Sequence, residues 1–211
     1  AASLRIVDRK TCEQAAHYAF SIAMRERKSL TSSSKYTIQR VTDGLFEDIV
    51  DEVAGEFQFS GQIVHNRELF DALLAKLVMK PEQFQVVLVL NEYGDFLSDL
   101  ASGLVGSLGL GASVSLSFDE KNRVSVGMFD ASHGTAPDIA GQDKANPTAI
   151  LLAFSLLLRH IGDTKAANAL QDGLFDCMGK GETTGDLGGP HGTTSFTKIL
   201  IEHVQQNLTA S

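Results

Sequence analysis

The sequence predicts an α/β protein, because segments with helical periodicity alternate with short segments typical of β-strands. Apolar residues recur at helical spacing in residues 11–28 and 42–57, and a strand-like segment follows the first of them. The apolar run at residues 84–90 lies between Pro81 and Asn91 and is typical of a buried strand. With 43% hydrophobic and 21% charged residues in 211, the composition is that of a globular chain with one domain or two small ones.

The first half of the chain contains the predicted strands and helices that alternate most clearly. A serine-rich strand at residues 30–34 follows the first helix, and Thr42 or Asp43 caps the second helix. We then predict a short strand at 62–65, a helix at 66–78 that Pro81 ends, and the buried strand. Residues 93–111 are predicted as a helix in which small residues permit close packing.

The second half begins with a predicted pair of strands within residues 112–129, joined by a polar turn at 119–122. An irregular loop rich in Gly, Pro, Asp and Asn occupies 129–149. Beyond it, Pro147 starts an apolar helix that ends at Gly162, and Asp163 caps the next one. A last helix is predicted at 193–206.

Charge and composition exclude several classes of partner. The formal net charge is −8, with acidic residues spread along the chain, so we predict no nucleic-acid binding. The longest apolar run, 149–158, is half of the roughly 20 residues that a membrane span requires, so no membrane interaction is predicted. Cys12 and Cys177 are the only cysteines, without a CxxC motif, which indicates neither a disulfide framework nor a thiolate zinc site.

Two aspartates are candidate metal ligands. Asp95 and Asp99 are four residues apart in a predicted helix, so both carboxylates lie on one face, one turn apart. Their repulsion would be relieved by a hard divalent cation with oxygen ligands. The alternative is that either carboxylate is solvated or caps the helix.

The loop at 129–149 is predicted to bind the adenosine half of a dinucleotide, since glycines let the backbone approach a ligand. His133 can stack on or hydrogen-bond to adenine, and Asn146 can pair with its edge. Asp138 can accept hydrogen bonds from a ribose 2′-OH and would repel a 2′-phosphate, which favours NAD over NADP. No GxGxxG follows a strand here, which argues against a Rossmann fold. A surface turn is the alternative.

Together with residues 93–99 and the TGDLGG segment at 184–189, this loop resembles the β-decarboxylating dehydrogenases of the isocitrate/isopropylmalate family. The resemblance implies that family's two-domain α/β fold without its N-terminal portion. Residues 1–110 would be mainly the small, dimerising domain, and 111–211 the C-terminal part of the large domain with the NAD loop. It implies these cofactor-binding residues: His133, Gly134, Thr135, Ala136, Pro137, Asp138, Ile139 and Asn146.

The resemblance also implies a Mg²⁺ or Mn²⁺ site. The family motif of Asn, Gly-Asp and Ser-Asp is filled at residues 91–99, which makes Asp95 and Asp99 metal ligands of one subunit. The third carboxylate in the family comes from the facing subunit, and Asp71 matches it. Because Asp71 would act across an interface, we expect a homodimer.

Lys35 matches the family's lysine that acts across the dimer interface in proton transfer. An ammonium can stabilise the enolate that remains when CO₂ departs, and it can relay a proton. The alternative is an ordinary surface lysine in a serine-rich turn. Tyr36 departs from the small residue that usually follows this lysine.

The resemblance covers only about the C-terminal three-fifths of a typical family member. The substrate-clamping arginines and the catalytic tyrosine of the family have no match here, so we expect no turnover by this chain alone. Two hypotheses stay open. One is NAD-dependent oxidative decarboxylation of a 2-hydroxy acid, isocitrate first and isopropylmalate next. The other is a non-catalytic truncated or regulatory paralogue that dimerises and retains nucleotide or metal affinity.

The cellular location follows from the same features. The chain begins without Met and without a secretory signal, so we expect a processed or internal start. We expect a cytoplasmic location, or the mitochondrial matrix in a eukaryote.

Overall fold

A computed structural model describes residues 1–58 and 63–210 of the chain. It confirms the α/β prediction, with helices and strands alternating through the first half and a hairpin followed by helices in the second. The chain divides into two compact units, Ala1–Ser98 with Glu120–Asn122, and Asp99–Asp119 with Arg123–Ser211. The dimerising and NAD-binding roles of the predicted domains 1–110 and 111–211 stay predictions.

The first unit is built around a parallel sheet. Its elements are α1 (Arg9–Glu26), β1 (Leu30–Ser34), α2 (Thr42–Gln58), β2 (His65–Leu69), α3 (Phe70–Met79), β3 (Val86–Val89) and the start of α4 (Asn91–Leu104). Asp8 caps α1 by accepting a hydrogen bond from the Thr11 N–H, 2.8 Å away. The periodic apolar faces of α1 and α2 meet in the core, where Phe20, Phe46 and Ile49 are almost completely buried.

The three strands of this sheet lie in the order β2-β1-β3, all parallel. Ser34 at the end of β1 pairs with Leu69 at the end of β2, and Ser33 pairs with Val89 at the end of β3. The carboxyl ends of the three strands therefore meet at one edge. Residues that follow the strands are brought there by topology alone, which is where ligands bind in parallel sheets.

The prediction of a strand at 62–65 and a helix at 66–78 was wrong at their junction. The strand is His65–Leu69, and α3 begins only at Phe70; residue 62 lies outside the described residues. The sequence of β2, HNREL, is polar, but β1 is central and its buried backbone groups require hydrogen-bond partners on both sides. Sheet pairing therefore overrode the helical spacing of Leu69, Phe70 and Leu73.

The helix predicted at 93–111 ends at Leu104, earlier than expected. Gly106 has a φ of 104°, a left-handed conformation that a helix cannot contain. Only a short 3₁₀ turn follows, at Leu108–Leu110.

The second unit contains an antiparallel hairpin and three helices. They are β4 (Ala112–Phe118), β5 (Val124–Ala131), α5 (Thr148–His160), α6 (Thr164–Gly179) and α7 (Thr193–Ala210). The helix starts follow the prediction, and the Asp163 carboxylate accepts from the Ala166 N–H as a cap. Leu174, Phe196 and Leu200 form the centre of an α6–α7 core. Among the described helices, none combines the length and apolar character needed to cross a bilayer.

Candidate functional site

Lys35 lies directly after β1, at the carboxyl end of the central strand. Its backbone N–H donates to the Asp43 carboxylate at 2.8 Å, and its carbonyl accepts from the Ile38 and Gln39 N–H groups. These bonds fix the backbone of the turn that carries the lysine. The position of the Lys35 side chain is therefore set by the sheet edge and by one buried carboxylate.

Asp43 is the centre of a polar network that the sequence analysis considered only as a helix cap. Its side chain is fully buried and also accepts from the Tyr93 hydroxyl at 2.8 Å. The Arg5 guanidinium lies 3.3 Å from the same carboxylate. The chain segments that carry Lys35, Tyr93 and Arg5 therefore all contact the Asp43 carboxylate. Burial, assisted by the bond to Asp43, raises the pKa of Tyr93, so its hydroxyl keeps the proton that it donates.

A second buried carboxylate, Glu47, supports the serine-rich strand itself. It accepts from the Ser32 hydroxyl at 2.7 Å and the Ser34 hydroxyl at 2.6 Å, and the Arg67 Nε lies 3.3 Å away. Burial raises the pKa of Glu47, although the two serine bonds oppose the shift. Every residue of β1 is buried. Glu47 therefore satisfies two of the three buried serine hydroxyls of β1, and the third, on Ser33, has no hydrogen-bond partner among the described residues.

Asp71 lies in the first turn of α3, two residues after the end of β2. Its carboxylate is 3.0 Å from the Lys35 Nζ of the same chain. The hydrogen bond from Lys35 lowers the pKa of Asp71. The structure thus brings the predicted catalytic lysine and the predicted third metal ligand together, with both side chains reaching solvent.

Asp95 and Asp99 follow β3 on α4, one turn apart as predicted, and both are exposed. Within residues 1–58 and 63–210, neither carboxylate forms an ion pair or accepts a side-chain hydrogen bond. Two like charges at this spacing destabilise a helix slightly unless a cation binds them. Their oxygen donors are of the type that Mg²⁺ and Mn²⁺ prefer. The single group of three metal-ligating side chains found in close contact among the described residues is elsewhere, in the second unit.

The predicted nucleotide loop leaves β5 at Ala131 and ends where α5 begins. Its backbone is unusual, because Ala136 and Asp143 both have positive φ values, 43° and 57°. Residues other than glycine seldom adopt this conformation, and such residues are frequent in ligand-binding loops. His133 is exposed, and its Nδ1 lies 2.9 Å from the Gly134 carbonyl.

Asp143 fastens the loop to the start of α7. Its carboxylate accepts from the N–H and the hydroxyl of Thr194, at 2.8 and 2.7 Å, and these bonds lower the pKa of Asp143. The backbone approaches so closely that a Cβ on Gly192 would lie 2.5 Å from the Asp143 carboxylate. Only glycine fits at 192 without a shift.

Asn146 has less freedom than the sequence analysis assumed. Its amide nitrogen donates to Asp186 at 2.9 Å, while its amide oxygen accepts from the Thr148 N–H at 3.0 Å. Asp186 belongs to the TGDLGG segment and also accepts from the Ser107 and Thr184 hydroxyls. Burial opposes the shift, but these hydrogen bonds lower the pKa of Asp186. The amide of Asn146 is thus oriented by internal bonds before any ligand arrives.

Two clefts open along this loop, with volumes of about 400 and 300 Å³. His133, Gly134, Ala136 and Ile139 line both of them. Asn146 and Asp186 line the first cleft, and Thr135 lines the second. Pro137 and Asp138 line neither; Asp138 is exposed beside the clefts, where its carbonyl accepts from the Gln142 side chain.

Comparison with known proteins agrees with these features. A family model described as isocitrate/isopropylmalate dehydrogenase matches residues 1–204. The chain belongs to this family. It is 39% identical over 204 residues to isocitrate dehydrogenase (NAD) catalytic subunit 6, mitochondrial, of Arabidopsis thaliana, covering 96% of this chain and 52% of the relative. It is 36% identical over 210 residues to a mitochondrial regulatory subunit of isocitrate dehydrogenase (NAD) from Dictyostelium discoideum, covering 99% of this chain and 57% of that one.

The fold is shared as well. The crystal structure of isocitrate dehydrogenase from Methylococcus capsulatus superposes with a TM-score of 0.88 at 37% identity, covering 97% of this chain and 59% of that one. The chain therefore spans somewhat more than half the length of each of these three relatives.

Sequence reasoning missed Asp43, Glu47, Asp143 and Asp186, which position this family member's predicted site residues. No short sequence motif marks Asp43, Glu47 or Asp143 as a partner of a predicted site residue. Asp186 carried a signal, because it lies in the TGDLGG segment that supported the family resemblance.

Proposed function

We propose that this chain carries the decarboxylation residues and the adenosine-binding loop of an NAD-dependent β-decarboxylating dehydrogenase. Isocitrate is the first candidate substrate, and isopropylmalate is the second. The observation that carries the proposal is the sheet edge: Lys35, Asp71 and the α4 motif each follow one of three adjacent parallel strands. Family membership supports the same reaction class.

Lys35 is the proposed proton donor in this reaction. The bond from its backbone to Asp43 holds the turn, and the ammonium contacts Asp71 rather than a buried partner. It can therefore be released toward a substrate and deliver a proton to the enolate carbon. Asp95 and Asp99, with Asp71 of a second subunit, fit Mg²⁺ or Mn²⁺ by their donor type; the bound ion would polarise the substrate's oxygens.

The proposed active form is a homodimer. In one chain, Asp71 is held by Lys35, while Asp95 and Asp99 project from α4 without a positive partner among the described residues. Pairing two chains would let Lys35 and Asp71 of one subunit serve the α4 carboxylates of the other. The proposed partners include neither nucleic acid nor a membrane. The proposed location of the protein is the cytoplasm or the mitochondrial matrix.

The cofactor proposal is NAD, with its adenosine on the 133–146 loop. The clefts supply apolar walls from Ala136 and Ile139 for a planar base. Asp138 is exposed and ionisable at their margin, in a place where a ribose hydroxyl can donate to it. A carboxylate there disfavours a 2′-phosphate by like-charge repulsion.

The second candidate is a non-catalytic, dimerising subunit that retains nucleotide or metal affinity. Similarity to a regulatory subunit supports this candidate. The bulky Tyr36 beside Lys35 supports it too, and the Tyr36 ring lies under the Arg67 guanidinium. In that case the loop binds a nucleotide as a regulator, and Lys35 has no chemical role.

An activity assay separates the two candidates. The full-length polypeptide that carries these residues is assayed for NAD reduction with isocitrate or isopropylmalate and Mn²⁺. Replacement Lys35→Ala should lower turnover by about 10²-fold or more, since general acid catalysis contributes that much. Lys80→Ala is the control, because Lys80 is an exposed lysine at the end of α3. Absence of turnover by the wild type would leave only the regulatory candidate, and equal turnover by wild type and Lys35→Ala would show that Lys35 is not the proton donor.

A further inference from the structure

The second unit assembles a thiol, an imidazole and a carboxylate from three separate segments. The ligand atoms of Cys177, Glu182 and His203 all lie within 4.8 Å of one another. The His203 Nε2 and the Glu182 Oε2 are 3.2 Å apart, which is close to the separation of two ligands on one tetrahedral ion. All three lie on α6, on the turn that follows it and on α7, and none of them belongs to the residues of the site proposed above.

Local geometry explains why these residues converge. Gly181 has a φ of 71°, and the Glu182 N–H donates to the Cys177 carbonyl at 2.9 Å, which turns the chain back over the end of α6. Glu182 is thereby held beside the thiol. Such a turn is part of the backbone and does not depend on the side chains that it brings together.

Close packing of α6 and α7 provides the histidine. A Cβ on Gly173 would lie 3.1 Å from Val204 and 3.5 Å from the Cβ of His203, so glycine lets α7 approach α6 here. Cys177 lies one turn further along the same face of α6. It is fully buried, and Leu174 and Phe196 pack beside it. The imidazole is thus fixed above a rigid core.

The surroundings favour a cation. The Asp176 carboxylate lies 3.9 Å from the Nδ1 of His203, on the other ring nitrogen from Glu182. Two carboxylates therefore face the imidazole, one on the side of each ring nitrogen, and their negative charge favours a cation at this place.

We propose that Cys177, Glu182 and His203 form a binding site for Zn²⁺ or a similar borderline divalent cation. Sulfur and nitrogen donors select Zn²⁺ over Mg²⁺, which requires oxygen ligands. Binding forms a sulfur–zinc bond, and the thiol proton is released to solvent. Three protein ligands leave the fourth tetrahedral position to water. Glu182, which is partly exposed, gives the ion access.

Zinc competition measures the site directly. The 211-residue chain, reduced and freed of metal, competes for Zn²⁺ with a chromophoric chelator, with Mg²⁺ in excess to occupy carboxylate sites. We expect the chain to bind one equivalent of Zn²⁺. Cys177→Ser and Asp176→Asn should each lower the affinity for Zn²⁺ by at least about tenfold. Cys12→Ser is the matched control, since Cys12 is also buried but lies on α1. Failure to bind Zn²⁺, or equal affinity in Cys177→Ser, would overturn the proposal.

Cobalt binding gives a second measurement, which keeps the proposal testable if Cys177→Ser does not fold. Co²⁺ bound through Cys177 should produce thiolate-to-metal charge-transfer absorption in wild type and in Cys12→Ser. Glu182→Gln and His203→Gln leave the buried thiol in place, and each should reduce that absorption at a fixed Co²⁺ concentration. Absorption that is absent from wild type, or unchanged in both variants, would show that these residues form only an ion pair between α6 and α7.

Discussion

The two units position their predicted functional residues in opposite ways. In the first unit, regular parallel strands carry Lys35 and Asp71 to one edge, and the buried acids Asp43 and Glu47 stabilise the central strand and its exit. In the second, an irregular loop with two non-glycine residues at positive φ is fastened by side chains from distant segments. The first arrangement depends on topology and burial, and the second depends on individual hydrogen bonds.

This difference predicts different sensitivities to mutation. Loss of a buried acid in the first unit should destabilise the whole sheet, because buried donors lose their acceptor. Loss of a contact in the second unit should release the loop from α7 while the helices remain packed. Mutations in the two regions should therefore separate stability from nucleotide binding.

The largest expected effect is that of Glu47→Ala. The variant leaves the Ser34 hydroxyl without its acceptor, and it removes one partner each from the Ser32 hydroxyl and the Arg67 guanidinium. We expect the free energy of unfolding to fall by roughly 3–5 kcal/mol, as when one partner of a buried pair is removed. Urea denaturation measures it. Glu52→Ala, which removes an exposed acid paired with Arg9, should cost under about 1 kcal/mol.

A smaller effect is expected from Gly192→Ala. The new Cβ would meet the carboxylate and the backbone oxygen of Asp143, at 2.5 and 2.6 Å, so the loop must move away from α7. We expect a loss of about 1–3 kcal/mol in the free energy of unfolding, together with weaker NAD binding. Gly179→Ala is the control, because no atom lies within 4 Å of the Cβ it would add. Equal stability of the two variants would mean that the contact does not hold the loop.

Glu47 in the first unit and Asp143 in the second should contribute pH dependences of opposite sign to the stability. The folded-state pKa of Glu47 is raised above 4.5, so its ionisation costs stability as pH rises through and above that value. The folded-state pKa of Asp143 is lowered below 3.8, so its contribution is present above that value and is lost as pH falls through the folded pKa. We compare the melting temperature of each variant with that of the wild type between pH 3 and 7. As the pH rises, the melting temperature of Glu47→Gln should increase relative to wild type, and that of Asp143→Asn should decrease relative to wild type. The same sign for both variants would contradict this contrast.

Much of the first unit could be predicted from the sequence, because the apolar periodicity of α1 and α2 and the position of Lys35 after a strand are local patterns. β2 could not, since its polar HNREL sequence becomes a strand only through pairing with β1. Asp143 and Thr194 are 51 residues apart, and Asn146 and Asp186 are 40 apart. Contacts at such separations follow from tertiary packing, as does the Cys177 cluster.

The most direct test of the account is a calorimetric titration of the 211-residue chain with NAD and with NADP. We expect NAD to bind more tightly than NADP, and we expect Asp138→Ala to weaken NAD binding by roughly ten- to a hundredfold, the value of a hydrogen bond to a charged group. Lys35→Ala should leave NAD binding unchanged, because Lys35 belongs to the first unit. A folded chain that binds neither cofactor, or binds NADP as tightly as NAD, would contradict the claim that the 133–146 loop is an NAD site.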